Sequence, residues 1–259
     1  MSVDEKLFRL DRKVAIVTGG GGGICGAICQ AFANVGARVA CLDMDAAAAD
    51  KTVSAIRAAG GEAIAIACDV TSESATLAAV ARVVAELGKP RVLVNGAAIL
   101  DKSGTILDID LEEWNRVFAV HVTGAFLMSR AVLPPMIEAG GGSIIHVASM
   151  HARVGRAGRV SYTTAKGGML QLAKTMAADH AAQGIRVNTL SPGAVRTQRI
   201  SFRYGEHAEA KIQQAATKYL LNRFAEPDEM AGAALFLASD ASSYMTGSDL
   251  LVDGGYCAI

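Results

Sequence analysis

Charge of one sign is what this 259-residue chain most clearly lacks: 25 basic residues balance 25 acidic ones, and only 19% of the sequence is charged. A balanced surface sets up no global field toward polyanions, so neither nucleic acid nor an anionic membrane is an expected partner. Cys25, Cys29, Cys41, Cys68 and Cys257 form no C-x-x-C pair and have no histidine cluster nearby. That indicates neither a zinc site nor a disulfide framework, predicts no metal, and reads as buried thiols in a reducing cytoplasm. Met1 to Lys13 alternates charged with apolar residues and lacks the apolar core of a signal peptide, so nothing there directs export. Val14 to Ala37 carries no charge, but Gly19 to Gly23, Gly26, Gly36, Thr18, Gln30 and Asn34 interrupt it. A strand, a turn and a helix explain it better than a membrane span. No linker, low-complexity tract or fixed-period repeat divides the chain, so one domain over residues 1–259 is expected.

What is present is alternation. Apolar runs at Val14 to Val17, Arg38 to Leu42, Ala63 to Ala67, Arg91 to Val94, Ser143 to Val147, Arg186 to Leu190 and Leu250 to Val252 are separated by alanine-rich, helix-patterned stretches. Continuous apolar strands, without a period of two, belong to a parallel sheet covered on both faces. The expectation is an α/β fold: a doubly wound, Rossmann-type domain with a seven-stranded, mostly parallel sheet and ligands at the carboxyl ends of its strands. Between Ala194 and Asn222 the rhythm breaks, with Arg199, Phe202, Arg203, Tyr204 and His207 replacing alanine. This stretch reads either as a substrate lid over 194–222 or as a solvated excursion.

The first strand runs into Thr18-Gly19-Gly20-Gly21-Gly22-Gly23-Ile24, and a helix pattern continues from Ala27 to Val35. Glycines let backbone approach a pyrophosphate, and the helix start offers free N–H groups and a positive dipole end. About twenty residues beyond Gly23, Asp43 follows the second strand, where a carboxylate accepts hydrogen bonds from the adenosine ribose. A 2′-phosphate would place a second anion against it, and the glycine turn holds no arginine or lysine. NAD is therefore the expected cofactor; the alternative is that Asp43 or Asp45 only caps the next helix.

Tyr162-Thr163-Thr164-Ala165-Lys166 places a phenol and an ammonium on one helix face. An isolated tyrosine has a pKa of about 10, so roughly one in a thousand is ionised at neutral pH. A neighbouring lysine favours the phenolate, and a shift of about three units, worth ~4 kcal/mol, would make Tyr162 a general acid/base. An exposed helix pair is the alternative. Ser149, thirteen residues before Tyr162, ends the fifth strand and is placed to hold a substrate oxygen.

These residues together resemble the short-chain dehydrogenase/reductase family, in its shorter single-domain form, over nearly the whole chain. Thr18, Gly19 and Gly23 are similar to its T-G-x-x-x-G-x-G motif, Asp69-Val70 to its adenine-contacting pair, and Val94-Asn95-Gly96-Ala97 to its N-N-A-G segment. Ser149, Tyr162 and Lys166 match its catalytic trio, in which the lysine also binds the nicotinamide ribose. Ser191-Pro192-Gly193-Ala194-Val195-Arg196-Thr197 resembles the segment closing over nicotinamide, with Val195 and Thr197 near the carboxamide. The resemblance implies a homotetramer, with Leu111 to Glu138 and Ser161 to Gln183 as interface helices and the segment around Asp253-Gly254-Gly255-Tyr256 reaching a neighbour. The chain departs from the pattern in three places. Cys25 stands at the third glycine, where it is expected to weaken cofactor binding. Gly96 and Ala98 replace the middle asparagine and last glycine of N-N-A-G. His121 replaces the asparagine of a water-linked proton path, either keeping that role or packing within its helix.

After Ser149 come His151, Arg153, Arg156 and Arg159. They read as a cradle for a substrate anion, as a solvated loop, or as a subunit contact. The expected activity is hydride transfer between NAD(H) and the secondary alcohol or carbonyl of a small molecule. The alternatives are an NADPH-dependent ketone or 3-oxoacyl reductase and a dinucleotide-binding regulatory module that has lost turnover.

Overall fold

The computed structural model describes residues 4–198, 200, 205 and 208–258. Among them, strands β1 Val14–Thr18, β2 Arg38–Asp43, β3 Glu62–Ala67, β4 Pro90–Asn95, β5 Gly142–Val147, β6 Ile185–Pro192 and β7 Asp249–Val252 form one parallel sheet. Their order is β3-β2-β1-β4-β5-β6-β7. Each of the seven apolar runs is a strand, lengthened by one to three residues that are mostly polar, proline or glycine, such as Thr18, Asp43, Asn95 and Pro192. Those residues carry no hydrophobic signal, yet their backbone groups extend the ladder.

Strand residues point alternately into two cores. Ala15 and Val17 of β1 pack with Ile28 and Phe32 of helix α1 (Gly23–Asn34), with Val53 of α2 (Ala46–Ala58), and with Met230 and Leu237 of α8 (Pro227–Ala238). Val14 and Ile16 face the other way, onto Val83 of α3 (Glu73–Glu86), Met128 and Met136 of α5 (Gly124–Glu138), and Ala173 of α6 (Val160–His180). Apolar burial on both faces is what turns these strands into unbroken hydrophobic runs.

Helix starts are set by local chemistry. Asp45 accepts from the N–H of Ala48 to cap α2, Ser72 from Ala75 for α3, and Asp110 from Glu113 for α4 (Leu111–Phe118). Pro227 opens α8, where Glu226 and Glu229 form a capping box. Helix α1 starts at Gly23, four residues before the apolar pattern that announces it, because glycines carry no periodic signal. The stretch Leu111–Glu138 has the length and apolarity of a membrane span, but half of its apolar window is buried within the protein. A π turn at Ala119–Thr123 also divides it into α4 and α5.

The sheet order reverses between β1 and β4, the point at which doubly wound sheets open a crevice at their carboxyl ends. The glycine turn after β1 lies on one side of that point, and the ends of β4, β5 and β6 lie on the other.

Candidate active site

β1 ends at the buried Thr18, whose hydroxyl joins two strands. Its Oγ1 donates to the Val94 carbonyl at 3.3 Å and accepts from the N–H groups of Gly96 and Ala97 at 3.0 and 3.2 Å. The chain turns at Gly19 with φ +70°, where a Cβ would press onto the Ala97 backbone at 3.0 Å. Gly22 precedes the first residue of α1, no side chain caps the helix, and a Cβ at Gly22 would meet nothing within 4 Å. The 12-residue helix thus starts with N–H groups that no side chain caps, a donor set that fits a pyrophosphate.

Asp43, at the end of β2, stands beside the turn: its Oδ2 accepts from Gly21 N–H at 2.9 Å and its Oδ1 from Asp45 N–H at 3.0 Å. Capping of α2 falls to Asp45 instead. Ile24 is partly buried against the α1 core. Asp69, exposed beyond β3, accepts from the Thr71 N–H and hydroxyl, while Val70 is buried against Gly124. Pro192 closes β6, Gly193 lies where a Cβ would collide with the Asp253 backbone, and Val195 bridges to Ala225. The Thr197 methyl lies 3.5 Å from where a Gly23 Cβ would sit, so the 192–197 segment reaches the glycine turn.

Tyr162 lies in the first turn of α6 and Lys166 one turn later. Lys166 is buried, with Nζ donating to the Val147 carbonyl at 2.6 Å and lying 5.9 Å from the Tyr162 ring centroid. The His121 ring, buried in the π turn, meets the Tyr162 ring edge-on at 5.7 Å, and its Nε2 accepts from the Ile99 N–H at 3.4 Å. Ser149 is buried and caps a 3-10 turn, Met150–Ala152, against which α6 packs; its Oγ accepts from His151 N–H. Ser149, Tyr162, Lys166 and His121 are thus carried by elements that meet at the carboxyl ends of β4 and β5.

Beyond Ser149 the basic residues part company. Arg153 Nε donates to Asp249 at 2.6 Å, and the other Asp249 oxygen accepts from the Thr189 and Ser191 hydroxyls, so Arg153 faces the start of β7. Arg156 is exposed, with Nη1 3.3 Å from His151 Nε2. Burial, helped by the Arg156 charge, pushes the His151 pKa down to about 4, so Arg156 donates to a neutral ring. That ring stands edge-on to Tyr256 at 5.8 Å. Within 194–222, helix α7 (Ala208–Ala216) packs Ile212 and Ala216, with Tyr219 and Phe224, onto Met150 of the Ser149 turn. Arg199, Phe202, Arg203, Tyr204 and His207 lie outside the described residues.

A family model described as enoyl-(acyl carrier protein) reductase matches residues 20–257. D-threitol dehydrogenase of Mycolicibacterium smegmatis is 40% identical over 99% of this chain and 96% of its own. The chain belongs to the short-chain dehydrogenase/reductase family. A solved 7α-hydroxysteroid dehydrogenase, complexed with NADH and 7-oxo glycochenodeoxycholic acid, superposes with a TM-score of 0.92 at 34% identity, covering 98% of each chain. A gluconate 5-dehydrogenase from Burkholderia cenocepacia, in complex with NADP and tartrate, gives 0.91 at 31% identity, again over 98% of each chain.

Two departures from the short-chain dehydrogenase/reductase pattern prove to be one. A Cβ at Gly96 would fall within 3.0 Å of Cys25 Sγ, with Thr18 O at 3.1 Å and Val147 Cγ2 at 3.5 Å around it. Cys25 is 5% exposed and points into the room that a side chain at position 96 would need. Its thiol therefore packs against the β4 end inside the protein, and burial, the leading cause, raises its pKa to about 12.

The sequence names Asn95 and Arg159 but not the polar contacts they make behind and beside the site, nor their partners His146, Ser129 and Asp101. Asn95 Nδ2 donates to Ser129 Oγ at 3.1 Å and lies 3.1 Å from His146 Nδ1. Full burial, then the charge of Lys166, lowers the His146 pKa to about 4, so this histidine is a neutral acceptor. Arg159 and Asp101 form a buried ion pair beside Tyr162. Polar residues on strands and on a loop carry no pattern that shows which of them will meet.

Proposed function

We propose that this chain is a NAD-dependent dehydrogenase that interconverts a secondary alcohol and a ketone of a small molecule. The placement of Tyr162 and Lys166 on one face of α6, at the sheet end across the crevice from the glycine turn, carries this reading. Relatives named D-threitol dehydrogenase, galactitol 2-dehydrogenase and cyclopentanol dehydrogenase, and the solved hydroxysteroid dehydrogenase holding NADH and 7-oxo glycochenodeoxycholic acid, support it.

Thr18, Gly19, Gly23 and Ile24 would cradle the pyrophosphate, Asp43 the adenosine ribose, and Asp69 and Val70 the adenine. Asn95 would support the sheet end, Lys166 would hold the nicotinamide ribose, and Pro192, Gly193, Val195 and Thr197 would close over the nicotinamide. NAD supplies a two-electron acceptor there. In oxidation, Tyr162 Oη takes the alcohol proton while Ser149 Oγ holds the same oxygen, and the Lys166 ammonium favours the negative phenol oxygen. Reduction runs the proton back. His121 stands in the place of the family's relay asparagine, beside the Tyr162 ring. NAD is favoured over NADP because Asp43 already lies against the turn and residues 18–25 contain no base.

The wider assignment includes His151 and Arg156 toward the substrate, with Arg153 supporting them from Asp249, and 194–222 as a lid. It also includes a homotetramer, supported by exposed Leu107, Leu111 and Phe126 around α4 and α5, and a cytoplasmic location supported by free thiols. The test is Tyr162→Phe assayed with NAD, D-threitol and a panel of cyclic secondary alcohols, following NADH absorbance. Loss of turnover by a factor of about 10² to 10⁴ is expected; turnover equal to wild type ends the proposal.

A further inference from the structure

Tyr162 is flanked by more positive charge than Lys166 supplies. Arg159, three residues earlier, holds its guanidinium carbon 4.8 Å from the Tyr162 ring centroid, over the ring. The same guanidinium is clamped by Asp101: Nε donates to Oδ2 at 2.6 Å and Nη2 donates to Oδ1. The pair is enclosed, with side-chain exposures of 5% for Arg159 and 0% for Asp101. The backbones meet as well, since residue 104, three beyond Asp101, bridges to Arg159. The loop after β4 is thereby fastened to the start of α6.

A buried ion pair is a poor way to gain stability. Desolvating both charges offsets most of their attraction, and an apolar pair of similar volume commonly serves as well. What an apolar pair cannot do is place a cation on an aromatic face. A guanidinium over a ring interacts with its negative face, and more strongly once the ring carries a phenolate. Asp101 lies on the far side of the guanidinium in this chain of contacts and offsets part of its field.

We infer that the buried Arg159–Asp101 pair is a positioning device for Tyr162, with Arg159 holding the ring and favouring negative charge on its oxygen, and Asp101 setting how strongly it does so. The inference rests on the proposed role of Tyr162 in proton transfer. Other charged or titratable groups face the same ring or its clamp. Lys166 does so from α6, His121 from the π turn, Arg116 from α4, near enough to Asp101 to feel its charge, and His151 from the turn after Ser149, near enough to feel that of Arg159. All stay unchanged in the variants below, so a shift reports on the pair.

The experiment is an ultraviolet difference titration of tyrosine ionisation in the ligand-free protein, with Tyr162→Phe subtracted to isolate the Tyr162 step among five tyrosines. Asp101→Asn removes the offsetting carboxylate, and its Tyr162 step should move to lower pH by about half a unit. Arg159→Met with Asp101→Leu removes both charges at similar volume, and its step should move about half a unit higher. Opposite signs are the signature of an electrostatic role, since a merely structural one would leave both unmoved or move them together. Either of those outcomes, in protein with native circular dichroism, overturns the inference. If the double variant does not fold, Asp101→Asn decides alone, and an unmoved step refutes it. The alcohol assay separates the two readings: a fully active Tyr162→Phe would end the proposed function, while the titration would still answer for Arg159.

Discussion

Replacing Gly96 with alanine is the sharpest test of how the glycine turn is built. The new methyl would fall within 3.0 Å of Cys25 Sγ, and Thr18 O at 3.1 Å and Val147 Cγ2 at 3.5 Å block a retreat. Cys25 lies inside the helix–sheet interface at 5% exposure, so relief requires α1 to shift from the β4 end. Overpacking of this kind costs about 1 to 3 kcal/mol, which in a chain of 259 residues lowers Tm by roughly 2 to 10 °C. Cys25→Ala alone leaves a small cavity and costs on the order of 1 kcal/mol. Combined, the two changes exchange one buried atom for another, so the double variant should be more stable than Gly96→Ala. The coupling in the cycle should be about 1 to 2 kcal/mol. Thermal and urea unfolding followed by circular dichroism measure all four proteins. Additive losses, with the double variant less stable than either single one, would show that Cys25 and Gly96 do not compete for one space. The same packing predicts that Cys25 resists alkylation in the folded protein, because its thiol stays protonated up to a pKa of about 12.

Three further outcomes are expected. Asp43→Ala should weaken NAD binding by roughly 10- to 100-fold, from the loss of charge-assisted hydrogen bonds, and leave NADP binding equal or tighter. Parallel losses for both cofactors in a fluorescence titration would refute the ribose role. His146, neutral in the fold with a pKa of about 4 against 6.5 unfolded, makes the unfolded chain bind more protons between those values. Stability should therefore fall as pH drops through that window, by about 2 kcal/mol at pH 5 for this group alone, with His151 adding in the same direction. His146→Asn should flatten the dependence of urea unfolding on pH between 7 and 5, and an unchanged slope would contradict the neutral-acceptor reading. Arg153→Ala should lower stability by about 1 to 3 kcal/mol through its Asp249 contact, whereas Arg156→Ala should raise KM for acidic alcohols more than for neutral ones. Equal KM changes on both substrate classes would remove Arg156 from substrate binding.

The sequence alone determined the sheet and the positions along the chain at which chemistry gathers. Doubly buried parallel strands are hydrophobic throughout, so all seven could be read as runs. Their alternation with helices then selects a doubly wound sheet whose crevice lies at the strand ends. The glycine run and the spacing of Tyr162 and Lys166 were legible for the same kind of reason: both are local, set by a tight turn and by one helical period.

Tertiary structure decided what depends on residues far apart in the chain. That Asp45 caps α2 while Asp43 meets Gly21 is settled by how β1 and β2 lie side by side. Arg153 and Arg156 look equivalent in the sequence, yet one is drawn to Asp249, 96 residues away, and the other stays exposed beside His151. Cys25 and Gly96 read as two separate faults in a pattern, but in space the cysteine fills the room the glycine leaves. Packing and charge pairing act at contact distance, and contact between distant segments exists only once the chain has folded.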